Sequence, residues 1–263
     1  MLKHLLEYDF KSKFKVLIIF YALATFFALL TRIFFSFENS LVLNIIAQVC
    51  SGVTISMVFN ILINNIMRMW ARFRTNFYGD ESYLTHTLPV SKTTHYLSKF
   101  ICASVSFLVS FAFIGVALFV AYYKPENMQI IKGLILPFAE PYDVSVLGLI
   151  VVLLLILYLE FFNILQCGFT GIILGHRMQS GKVGFSVLYG FIVYSASQTA
   201  VLVAMFIVAL FNNDAMNLFV TNEMVDIGIL KFFIIFAIII YTLISVVLCF
   251  VNIKLFKKGV NVD

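Results

Sequence analysis

Apolar runs long enough to cross a bilayer recur six times in this 263-residue chain, at about 16–37, 41–66, 100–123, 144–174, 183–211 and 232–251. A helix rises about 1.5 Å per residue and a bilayer core is about 30 Å thick, so roughly 20 residues suffice for each crossing. Only 12% of the residues are charged, against about 25% in soluble domains. A water-soluble chain of this length would bury one core and keep a charged face, and these runs have none between them. The expected fold is an all-α membrane protein, one transmembrane domain over residues 1–263. It has six transmembrane helices, an N-terminal amphipathic interfacial helix and a short cytoplasmic helix.

One long polar stretch interrupts this pattern, Met67 to Lys99. Arg68, Arg72 and Arg74 open it, Asp80 and Glu81 sit in its middle, and Lys92 and Lys99 close it around a Leu88-Pro89-Val90-Ser91 break. Pro89 lacks an N–H and its ring clashes with the preceding turn, so only a short helix fits over Asp80 to Thr87. Ser91 is suited to cap the helix that follows.

Ahead of the first span, Leu2, Leu5, Leu6, Phe10 and Phe14 recur at helical spacing, with Lys3, Glu7 and Lys11 on the opposite stripe. Glu7 with Lys11 and Asp9 with Lys13 are acid-before-base pairs four apart, which support an isolated helix by about 0.2–0.5 kcal/mol each. The leader is therefore expected as a helix lying on the inner leaflet, with a frayed hydrophilic segment as the alternative. Glu7 and Asp9 spoil the basic start of a signal peptide, and no small-residue cleavage site follows.

The second span carries a polar row, Asn44, Gln48, Ser56, Asn60 and Asn64, separated from the first span by Glu38, Asn39 and Ser40. Steps of four drift about 40° each around a helix, so the row winds instead of lining one face. Interhelical hydrogen bonds are its first reading and a substrate path its second. Between the third and fourth spans, Pro125, Pro137 and Pro141 punctuate a segment in which Ile130 to Phe138 is too short to cross, and an external amphipathic loop is expected there. The fourth run exceeds the length needed, so a tilt or a break is expected in it. Glu160, near Asn163 and Gln166, is the only acidic residue at membrane depth. A lone charge there costs about 2.5–3.5 kcal/mol or more, so it faces protein or water, as a structural hydrogen-bonding group, ionised or protonated, or as a functional group. Tyr194, Ser195, Ser197, Gln198 and Thr199 cluster near the middle of the fifth span.

Gly175 to Lys182, GHRMQSGK, looks like a phosphate-binding loop, but the glycine spacing is one too long, Val183 stands where Ser or Thr would hold magnesium, and no strand precedes it. The histidines are scattered over three polar segments, and a zinc site from His86 and His95 would need further ligands. No catalytic constellation is present, so the chain is not expected to be an enzyme. Cys50, Cys102, Cys167 and Cys249 all fall within spans, as small hydrophobes.

Basic residues set the orientation. Lys3, Lys11, Lys13 and Lys15, the five in the long loop, Arg177 and Lys182, and Lys254, Lys257 and Lys258 all share one side if six spans are crossed. Arg32, Lys124, Lys132 and Lys231 fall on the other. The positive-inside rule then places both termini in the cytoplasm, and an outer acidic loop carries Asp214, Glu223 and Asp226.

The loop text YGDESYLTHTLPVSKTTHYLSK, with Tyr78, Gly79, Thr85 to Ser91, Ser98 and Lys99 as its matching positions, resembles permease subunits of exporter-type ABC transporters of Gram-positive bacteria. That resemblance implies a coupling helix around Asp80 to Thr87. Asp80, Glu81, Ser82, Tyr83, Leu84, Thr85, His86, Leu88 and Pro89 would then dock into a separate cytosolic ATP-binding subunit. It further implies a second permease chain, the same or related, a bacterial plasma-membrane location and no cofactor in this chain, with ATP and Mg bound by the partner. Gln48, Asn60, Glu160, Asn163 and Gln198 are the candidate substrate path. The alternatives are a stand-alone proton-coupled carrier using Glu160 and a non-transporting assembly or immunity factor.

Overall fold

The structure, a computed structural model, describes residues 2–37, 40–140, 145–211, 216 and 227–258. Regular structure among them is helical: α1 (Leu2–Phe35), α2 (Leu41–Tyr78), α3 (Ser82–Thr87), α4 (Lys92–Tyr122), α5 (Pro125–Ala139), α6 (Val146–Gly175), α7 (Lys182–Leu210) and α8 (Ile227–Lys257). All but α3 and α5 are long and apolar enough to cross a membrane, as expected for a multi-pass membrane protein. Their outward faces stay apolar, with Leu147, Val187 and Phe250 all more than two-thirds exposed. Water would penalise so much open hydrocarbon, whereas lipid does not. Glu38, Asn39, Pro141, Asp143, the expected start of the fourth span at Val144, and Asp214, Glu223 and Asp226 lie outside the described residues.

Several boundaries differ from expectation. The leader is no separate element here, since α1 runs unbroken from Leu2 through the first apolar run. Likewise α2 continues past Ile66 to Tyr78, because nothing from Met67 onward breaks a helix until Gly79. Gly79 N–H then bonds back to Arg74 O at 3.1 Å, and the helix ends there. α4 begins at Lys92, a full two turns before the apolar run. The expected external loop contains a real helix, α5, entered through Pro125 at the position where a missing N–H costs nothing. α6 crosses its long run without a break, entered through Ser145, whose hydroxyl accepts from Gly148 N–H at 3.1 Å.

The described chain forms two compact units, Met1–Phe73 with Thr87–Ile131, and Arg74–His86 with Lys132–Asp263. In the first, α1 and α4 run parallel. Asp9 meets Lys99, Tyr21 meets Ser110 at 2.8 Å and stacks on Phe113 at 4.3 Å, and Lys124 donates to Phe35 O at 3.4 Å. The buried face of α1 is Asp9, Lys13, Leu17, Tyr21, Ala24, Ala28 and Thr31, one stripe at steps of three and four. α2 joins through Thr31 with Thr54 at 3.2 Å and Ser51 with Tyr122 at 2.6 Å.

In the second unit, α6 and α7 form an antiparallel hairpin through a turn at Gly181, whose φ of 66° suits glycine. Their backbones nearly touch. A Cβ added to Gly171 would fall 2.5 Å from Gly190 N and closer still to Ser186 O, and one on Gly175 would fall 2.5 Å from Ser186 Cα. Gly171 and Gly175, four apart, thus face Ser186 and Gly190, also four apart, in the small-residue contact that replaces hydrophobic attraction between helices in lipid. Gly171→Ala should therefore force the hairpin apart and cost about 1–3 kcal/mol or more. Gly184→Ala on the same α7, with nothing within 4 Å of its new methyl, should be neutral or gain about 0.5–1 kcal/mol. Thermal unfolding of both variants in detergent checks the contrast.

Candidate functional site

Two polar clusters are built inside the helices, one in each unit. The first is centred on the leader. Asp9 and Lys13 are 5% and 1% exposed, and they do not pair with each other as their spacing suggests. Asp9 instead accepts from Lys99 Nζ at 2.5 Å and from Ser98 Oγ at 2.8 Å, both on α4. Lys13 Nζ donates to Ser106 Oγ at 2.5 Å and lies 5.8 Å from the Phe107 ring centre. The chain of bonds continues from Ser106 to Asn65 Oδ1 at 3.1 Å, from Asn65 to Ser110 at 2.8 Å, and on to Tyr21. Arg72 bonds Ser12 and lies 5.5 Å from the Tyr8 ring. Lys3, Glu7 and Lys11 remain exposed, as expected.

The second cluster runs along α6. Glu160, partly exposed, accepts from Tyr194 OH at 2.7 Å and from Gln198 Nε2 at 2.8 and 3.1 Å, and Gln198 Oε1 in turn accepts from Tyr241 OH at 2.9 Å. One turn on, buried Asn163 donates to Ser197 at 3.0 Å, with Cys167 Sγ 3.6 Å from Asn163 Oδ1. Next, buried Thr170 donates to Asn252 Oδ1 at 2.7 Å, and Asn252 Nδ2 donates to Gln166 O at 3.3 Å. Positions 160, 163, 167 and 170 form one stripe of α6, facing α7 and α8. The seam ends near His176, which is buried, donates from Nδ1 to Ile172 O at 2.9 Å and packs at a tilt against Tyr78 with ring centres 4.4 Å apart.

Of the proposed path, Glu160, Asn163 and Gln198 come together on α6 and α7. Gln48 and Asn60 belong to α2, in the other unit, and are exposed, Asn60 bonding its own helix at Ser56 O, 2.9 Å away. Asn64 likewise bonds Asn60 O, so the inner end of the winding row bonds its own helix. Asn65, one position beside that row, does bond another helix.

In the loop, α3 starts at Ser82, with Asp80 exposed and Glu81 half-buried just before it. Ser82 is buried and its N–H bonds Gly79 O at 2.9 Å, Thr85 bonds Glu81 O, and His86 Nε2 donates to Phe77 O at 3.1 Å. Phe77 itself packs edge-on against Phe256 of α8 at 4.8 Å. Tyr83 and Leu84 stand 76% and 68% exposed, with Leu88, Pro89 and His86 exposed beside them. Ser91 caps α4 as expected, accepting from Thr94 N–H at 3.2 Å.

Comparison with protein-family models, with curated proteins and with solved structures finds no match for this chain. Asp9→Asn should strand buried Lys99 and cost about 3–5 kcal/mol, whereas Asp9→Leu with Lys99→Met should recover most of the loss. Chemical denaturation of the two proteins in detergent separates these outcomes.

Proposed function

We propose that this chain is the membrane-spanning permease subunit of an ATP-binding-cassette exporter in a bacterial cell membrane. It pairs with a second permease chain, and cytosolic ATPases bind the ATP and Mg. Both termini lie in the cytoplasm, in keeping with the placement of the basic residues. The observation that carries the reading is α3. Tyr83, Leu84 and Leu88 project from a loop too polar to lie in lipid, and apolar groups held open in water suit a groove on another protein. The helix is also braced at its base, by the Gly79 turn and the His86 to Phe77 bond, so a docked partner would push against a held element. The YGDESYLTHTLPVS text that resembles the exporter permeases falls on this same element.

A second reading, a proton-coupled carrier, draws on the Glu160 cluster. Glu160→Gln separates the two. An ATP-driven exporter keeps its ATP dependence, and a carrier loses its coupling to pH.

The direct test is purification from native membranes in mild detergent, asking whether an ATP-binding subunit and vanadate-sensitive ATPase activity come with the chain. Replacing Asp80 and Glu81 by Lys should cut the co-purified ATPase at least about tenfold, equivalent to about 1.4 kcal/mol, without changing helix content by circular dichroism. Unchanged recovery of the ATPase would remove α3 from the mechanism, and a chain that emerges alone would put the carrier reading first.

A further inference from the structure

We infer that Glu160 forms the charge-selective part of a binding site for an amphipathic organic cation, an ammonium group bearing an apolar chain. The inference rests on the chain being a transporter and names the class of molecule it would carry. Glu160 is the midpoint of α6, and Tyr194, Gln198 and Tyr241 bring neutral groups to it from the middle of α7 and α8. No Lys, Arg or His lies within ion-pair distance of it among the described residues. A carboxylate has about four lone-pair sites, and the three donated bonds all come from α7. The acid thus keeps a partly exposed side with capacity to spare and no counter-charge.

The way α6 changes character at this residue shows what could occupy that side. The stripe running ahead of Glu160, Leu153 and Leu157, is open to the surroundings. The stripe behind it, Asn163, Cys167 and Thr170, is closed against α7 and α8. Glu160 therefore sits where an apolar approach meets a polar seam, and an occupant placing an apolar chain along Leu157 and Leu153 would bring its charged end to the carboxylate. An inorganic cation fits poorly. Calcium takes about six to eight oxygen ligands, Gln198 presents its nitrogen to Glu160, and no three metal-type ligands cluster among the described residues. A weakly hydrated ammonium needs only the carboxylate and apolar surroundings for its chain, and the hydroxyls of Tyr194 and Tyr241 already fix the carboxylate and Gln198 in place.

The test uses the purified full chain in lipid nanodiscs without any partner, so its result is independent of whether an ATPase docks at α3. Radiolabelled dodecyltrimethylammonium, permanently charged, should bind saturably above the lipid background, and dodecanol, its uncharged counterpart, should fail to displace it. Glu160→Gln should weaken binding by at least about tenfold, as expected when one member of a desolvated charge pair is lost, and Glu160→Asp should retain most of it. Equal binding by wild type and Glu160→Gln would overturn the site, as would displacement by dodecanol as effective as by the unlabelled cation. The dodecanol comparison needs only the wild-type protein and decides the question if Glu160→Gln fails to fold.

Discussion

Lipid offers no hydrogen bonds and gives helices no hydrophobic reason to associate, and the architecture of this chain follows from those two facts. The first confines the backbone to helices, since each N–H and C=O must pair within its own segment. The second leaves close packing, small residues and shared polar side chains as the adhesives between helices. The two units use these adhesives in different proportions. The first relies on a line of charged and hydroxyl groups from Asp9 to Tyr21, and the second brings backbones together at Gly171 and Gly175 and then adds amides along the same face of α6.

Burying Asp9, Lys13 and Lys99 is costly in isolation, several kcal/mol per ion after relaxation. The cost is tolerable because each has a short charge-assisted bond in place, and breaking one leaves its partner uncompensated. Such an arrangement stabilises less than an apolar core would, but it specifies register. Asp9 can reach Lys99 and Ser98, and Lys13 can reach Ser106, in one vertical setting of α1 against α4. A slip by a turn would bury three charges unpaired. Extension of α1 through the leader has the same origin, because residues 2–15 hold the groups that pair with the early turns of α4.

The six spans were legible because their signal is sheer length of apolar sequence, which depends on no partner. The Pro89 break and the Ser91 cap were legible for a related reason, as both are local chemistry. Apart from the helix boundaries, the misreadings concern the partners of a side chain. Asp9 and Lys13 at a spacing of four imitate a surface pair, and only the presence of Ser98, Lys99 and Ser106 on α4 reveals them as buried. Sequence carried a hint in Ser98, Cys102, Ser106 and Ser110, four small residues at steps of four, which mark a face meant for close approach. The row Asn44, Gln48, Asn60 and Asn64 was more conspicuous than Asn65, yet amides four apart can bond their own helix, and Asn60 and Asn64 do. On α6 the stripe 160, 163, 167, 170 was readable in period, whereas Tyr241 and Asn252 are single polar residues in an apolar run whose partners are set only by packing. The Gly171 to Gly175 spacing was also present in the text, hidden by the glycine-rich turn that follows it.

In the proposed transporter, the position of α3 relative to the rest of the second unit matters more than its length. Its base is tied to Phe77 and Tyr78, and those rings pack on Phe256 of α8 and His176 at the end of α6. A displacement of α3 therefore cannot be absorbed by a slack loop. Rings 4.4 and 4.8 Å apart transmit it directly to α6 and α8. Those two helices, with α7, position Glu160, Tyr194, Gln198 and Tyr241, so the groups at mid-helix share rigid elements with the loop. Between the two ends lies the glycine contact of α6 with α7, where the backbones are too close to part without losing it. Rotation or tilt of α6 with α7 as one body is then the motion that packing permits, and it would move the open side of Glu160 together with the ends that α3 grips.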